Sequence, residues 1–179
     1  MSIETGTPDT RTDHSRPLAL LNETIVVLIP ALLLLGGIAA LGWEPTSWLG
    51  AIVWGVVAAA AMTGFITVGR EVDMTRMNLL DLLGSTIYEP GTSQARTLGF
   101  VLHATVGGFL GLTGAYSLAL IGWAVTWVSG TVWGAFVSLL ALVMLSSVGA
   151  VHPKIRAHRQ ADPGPGATHF GAMTPFGVV

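Results

Sequence analysis

The sequence predicts an all-helical transmembrane bundle of four spans, and three observations carry that reading. Only 10% of the 179 residues are charged and 51% are hydrophobic, against about 25% charged in ordinary soluble domains. The charges are clustered, which leaves four uncharged runs, each near the roughly 20 helical residues that cross about 30 Å of hydrocarbon. The basic residues and four of the tryptophans gather at opposite ends of those runs. Lipid cannot satisfy open backbone groups, and the runs are too long and continuous for barrel strands, so the spans are helices.

Residues 1–19 are polar, with Glu4, Asp9 and Asp13 beside only Arg11 and Arg16. They lack the basic start and short apolar core of a signal peptide and read as a disordered cytoplasmic tail. The first span covers residues 24–43, with Pro30 placed to kink it. The second covers 48–69. The third, 97–122, is glycine-rich and carries His103, and the fourth covers 127–151. Between the second and third, Met74, Met77, Leu80, Leu83 and Ile87 recur at helical spacing with Asp73, Arg76 and Asp81 between them. That pattern predicts an amphipathic surface helix over 73–88, with Asp73 as its candidate N-terminal cap, the alternative being a structured loop packed on the bundle. Residues 152–179 form a cytoplasmic tail rich in proline and glycine.

All eight basic residues, Arg11, Arg16, Arg70, Arg76, Arg96, Lys154, Arg156 and Arg159, fall on one side of a four-span chain. The excess of Lys and Arg in cytoplasmic segments then places both termini inside a multi-pass protein of the cell membrane. Trp43, Trp48, Trp123 and Trp127 flank the two short turns on the other side. Indoles favour the membrane–water boundary, so these four read as outer interface anchors.

Two spans open alike: WLGAIVWG at 48–55 and WVSGTVWG at 127–134. Trp48 pairs with Trp127, Trp54 with Trp133 and Gly55 with Gly134. Both segments run inward, which suggests a parallel repeat about an axis along the membrane normal. A complete second copy would continue into a fifth span after the Gly171–Pro175 element.

Four elements together resemble an uncharacterised family of small polytopic membrane proteins from bacteria and archaea. They are Gly99-x3-His103-x3-Gly107, the pair Ala115-Tyr116, the His152-Pro153 pair closing the fourth span, and Gly171-x-Met173-Thr174-Pro175. The resemblance spans Trp48 to the C-terminus. It implies a polytopic helical architecture and no particular activity. In that family the Thr-Pro element leads into another histidine-bearing span, which is not within these 179 residues.

His103 is the candidate for chemistry. An ionisable group inside a span normally faces the bundle interior and is a functional candidate. With the span starting at Thr97, it lies about 9 Å into the helix. Its simplest role is a neutral imidazole bonded to Thr63, Thr67, Ser146 or Ser147. The alternatives are a ligand in a haem or quinone site and a group lining a cytoplasmic vestibule. His152 is about two turns shallower, which argues against a bis-histidine haem within one subunit. His152, His158 and His169 are spaced too widely for a tight metal site, and His14 lies in the N-terminal tail.

With no cysteine, thiolate ligands and cysteine nucleophiles are excluded. No basic face suggests nucleic acid. No carboxylate lies mid-span and no recognised catalytic motif is present, so the chain reads as non-enzymatic and is assigned no cofactor. The strongest interaction signal is three small-residue rows: Gly107-x3-Gly111-x3-Ala115, Gly130-x3-Gly134-x3-Ser138 and Gly55-x3-Ala59-x3-Thr63. Such rows allow close helix contact, within this bundle or with a partner. The functional expectation is an assembly or accessory subunit in the lipid bilayer, associating with itself or with a larger membrane complex. A small-solute or ion conduit at His103 and a redox subunit with haem or quinone there are the competing readings.

Overall fold

The computed structural model describes the backbone of residues 15–72 and 78–151, with side chains at residue 24 and over 27–72 and 78–141. Within these residues the chain is helical and contains no strand. Its elements are α1 (Ser15–Leu41), α2 (Trp48–Glu71), α3 (Leu79–Gly84), α4 (Ser93–Leu120) and α5 (Trp127–Val151). The four long helices fall on the four apolar runs, with two shifts at their N-terminal ends. α1 starts at Ser15, nine residues before Thr24, and so takes in the last five residues expected in the polar tail. α4 starts at Ser93 rather than Thr97.

Side-chain chemistry explains these limits. Ser47 caps α2 by accepting a hydrogen bond from the Gly50 N–H at 3.2 Å, and Thr92 caps α4 by accepting from Ala95 N–H at 3.2 Å. Gly42 and Gly122, after the C-terminal ends of α1 and α4, adopt φ +75° and +70°. That left-handed conformation ends a helix at little cost only for glycine. Pro30 is buried inside α1.

The packing centres on α4, which touches α1, α2, α3 and α5, while α1 also packs along α5. α2 runs antiparallel to α4 with a narrow buried stripe of Gly55, Ala58, Ala59, Met62, Ile66 and Gly69. A Cβ added at Gly55 would collide with the Gly107 carbonyl and lie 3.0 Å from Gly111 Cα, and one at Gly111 would lie 2.8 Å from Gly55 Cα. The two backbones therefore touch, and the small-residue rows of α2 and α4 are spent holding this bundle together. In the third row Gly134 and Ser138 are buried, and the Ser138 hydroxyl donates to the Gly134 carbonyl at 2.8 Å. Gly130 stays half-buried.

The expected surface helix over 73–88 is corrected to the six residues of α3, and residues 73–77 lie outside the described residues, Asp73 included. The cap is Asn78, whose side-chain oxygen accepts from Asp81 N–H at 3.3 Å. α3 does not float on the surface. Leu79 and Leu82 join the core, and Cβ atoms at Gly84 and Gly99 would strike the backbones of Ala95 and Leu80. The chain turns away at Ser85, and the Asp81 carboxylate closes that turn by accepting the Gly91 N–H at 2.7 Å. Ile87, counted in the helical pattern, is in the turn and exposed.

α2 and α4 are long and apolar enough to cross a membrane, with 28% and 33% of their most apolar 18-residue windows buried. A soluble core helix of that hydropathy would be mostly buried. Here many bulky aliphatic side chains face outward, as with Leu35 at 63%, Val68 at 62% and Val132 at 51% exposure. The α2 interior, by contrast, is mostly glycine and alanine.

Candidate functional site

The α2–α4 seam places His103. Ala51 meets Gly111 and Gly55 meets Gly107, and one helical turn further along both helices Ala59 meets His103. There the imidazole faces the backbone of Ala59. His103 continues the small-residue row of α4, and the small Ala59 side chain leaves room for its ring. Because α4 starts at Ser93, His103 lies about 15 Å from that end of the helix, and still about 9 Å from Thr97.

Two of the four hydroxyls expected to satisfy this histidine bond elsewhere. Thr63 Oγ1 donates to the Ala59 carbonyl at 3.0 Å and Thr67 Oγ1 to the Thr63 carbonyl at 2.8 Å. The side chains of Ser146 and Ser147 lie outside the described residues. Among the described residues, the buried Nε2 of His103 has no hydrogen-bond partner. No group of three or more His, Asp or Glu able to hold a metal ion occurs among them either. His14, His152, His158 and His169 lie outside the described residues, as do residues 1–14 and 152–179 with the Gly171–Pro175 element.

At the other end, Tyr116 forms a junction that the sequence reading missed. It is fully buried, accepts the Trp48 indole N–H at 2.9 Å and donates to the Gly42 carbonyl at 3.0 Å. Trp43 stacks on Trp48 with ring centroids 4.6 Å apart. Gly37 lets α1 close onto the ring, since a Cβ there would lie 2.9 Å from Tyr116 Cβ. The available signal was a phenol at the depth of the tryptophan belt, where a buried hydroxyl requires partners.

The tryptophans serve different ends. Trp127 is 71% and Trp54 59% exposed, and Trp43 and Trp123 are exposed too. Trp133 turns inward instead, donating to the Leu110 carbonyl at 3.2 Å, and its ring sits where a Cβ on Gly114 would be. The residues paired by the proposed repeat, Trp48 with Trp127 and Trp54 with Trp133, thus sit in different environments.

The small residues left over form two further pairs. On α1, Gly36 and Ala40 are exposed one turn apart, and on α2 Ala60 and Gly64 are likewise. A Cβ at either Gly36 or Gly64 would meet nothing within 4 Å. The chain matches no family model, no curated protein and no solved structure.

Proposed function

We propose that this chain is a four-span integral membrane protein with both termini cytoplasmic, acting as a non-enzymatic assembly or accessory subunit. An apolar exterior around a small-residue interior supports lipid as its solvent. Arg70 and Arg96 at the α3 end, with the exposed tryptophans at the other, support the orientation. The resemblance to uncharacterised polytopic proteins agrees with that architecture.

The observation carrying the assembly reading is the pair of unoccupied small-residue steps, Gly36/Ala40 and Ala60/Gly64. Glycine in a helix costs about 1 kcal/mol relative to alanine. Gly55, Gly107 and Gly111 offset that cost by backbone contact, whereas Gly36 and Gly64 have no such contact within the described chain. A partner helix docking over either face supplies it. The test is co-purification in mild detergent followed by native mass spectrometry. The wild type should carry a second copy or a stoichiometric partner, and Gly36→Leu or Gly64→Leu should lose it while remaining folded. A wild-type chain that is monomeric and partner-free, in membranes as in detergent, would refute the reading.

A second reading rests on the Nε2 of His103, which has no hydrogen-bond partner among the described residues and is a nitrogen that a haem iron, a quinone carbonyl or a permeating solute could engage. A Soret band lost in His103→Ala would support its redox form. Solute flux abolished in that variant, with helicity unchanged, would support the conduit form.

A further inference from the structure

At the tryptophan end, α2 and α5 stand apart on either side of α4 and leave an open groove of about 570 Å3. Its mouth lies between the two turns, where Thr46, Ser47 and Thr126 supply hydroxyls. Its floor is Gly111, Gly114 and Ala115 of α4, and its deep end is closed by Ala58 and the Trp133 ring. Ala58 is ten residues from the start of α2, so the groove runs about 15 Å along the helix. That is about half of a 30 Å hydrocarbon core, the depth of one leaflet.

We propose that this groove holds one acyl chain of an outer-leaflet lipid whose headgroup carries no net negative charge. The inference rests on the four-span reading. Size selects a slender occupant, because a helix 10–12 Å across occupies on the order of 500 Å3 per turn. The groove would take one turn of such a helix, not the several a spanning partner presents. Polarity runs the right way, from hydroxyls at the boundary to an uncharged interior. Charge selects the headgroup. No Lys or Arg lines the groove, and the charged residue beside its mouth is Glu44. That carboxylate repels a net-anionic headgroup and attracts the ammonium of a zwitterionic one.

The full chain is purified in mild detergent and exposed to an equimolar mixture of phosphatidylethanolamine and phosphatidylglycerol. Bound lipid is then read by native mass spectrometry. The expected result is one retained phosphatidylethanolamine per chain, with phosphatidylglycerol at least fivefold lower. Gly130→Leu, a larger side chain at a residue lining the groove, should reduce retention about tenfold at unchanged helicity. Ala115→Leu, from the floor, serves if that variant does not fold. A folded wild type that retains no lipid, retains both lipids equally, or carries a second protein that Gly130→Leu displaces overturns the proposal. So does retention unchanged in both folded variants. These outcomes are distinct from failure of the four-span reading, in which the chain stays in solution without detergent.

Discussion

Trp48 donates its indole N–H to the hydroxyl of Tyr116 at 2.9 Å, with the two rings edge to face at 82°. Through this contact, and through the Tyr116 hydroxyl on the Gly42 carbonyl, three helices meet at one buried oxygen. The tryptophan end of the bundle is fastened there, between residues 68 and 74 positions apart in the chain.

Tyr116→Phe keeps the ring and removes that oxygen. It strips Trp48 of an acceptor and Gly42 of a donor, and a buried group left unpaired costs about 1–3 kcal/mol. Thermal unfolding in detergent should show a lower midpoint, and in a double-mutant cycle the variant carrying both Tyr116→Phe and Trp48→Phe should lose less than the sum of the two single losses.

The α2–α4 contact gives a sharper contrast. Gly111→Leu drives a side chain into Ala51 and Gly55, and overpacking of this kind costs about 1–3 kcal/mol or more. Gly64→Leu meets open space and removes the helix cost of glycine, so monomer stability should be unchanged or higher by up to about 1 kcal/mol. Parallel unfolding curves for the two variants check this, and equal destabilisation would contradict the assignment of inner and outer glycines.

Asp81 ties α3 to the turn before α4, and Arg96 Nη2 supports the same turn through the Gly91 carbonyl at 3.1 Å. Asp81→Ala leaves the Gly91 N–H without its acceptor and should cost about 1–2 kcal/mol. Asp81→Asn retains an oxygen at that position and should cost less. Hydrogen exchange at Gly91 reports the loss directly, accelerating in the alanine variant and changing little in the asparagine one.

Trp133 and Trp54, paired by the proposed repeat, should respond differently. Trp133→Phe gives up the bond to Leu110 and packing over Gly114, and should lower the unfolding midpoint. Trp54→Phe, on an exposed ring, should leave it unchanged.

These contrasts mark how far the sequence could be read. The long helices were legible because apolar run length is a local property, and the start of α2 beside Ser47 and of α5 at Trp127 fell where expected. α3 was overextended because periodicity counted Ile87, while the turn that removes it is made by a carboxylate ten residues from its Gly91 partner. The glycine rows were visible, but which row faces which is a pairing between distant segments. Gly55 and Gly111 look no different in the sequence from Gly36 and Gly64. Tyr116 was passed over for the same reason, since both its partners are far away in the chain.

The four-span arrangement is tested most directly by cysteine labelling, for which a chain without native cysteine is well suited. Single variants Glu44→Cys and Val125→Cys lie in the two turns at the tryptophan end, and Tyr88→Cys lies in the turn after α3. In intact cells a membrane-impermeant maleimide should modify the first two and spare Tyr88→Cys until the membrane is opened. Modification of Tyr88→Cys alongside Glu44→Cys in sealed cells would contradict the account.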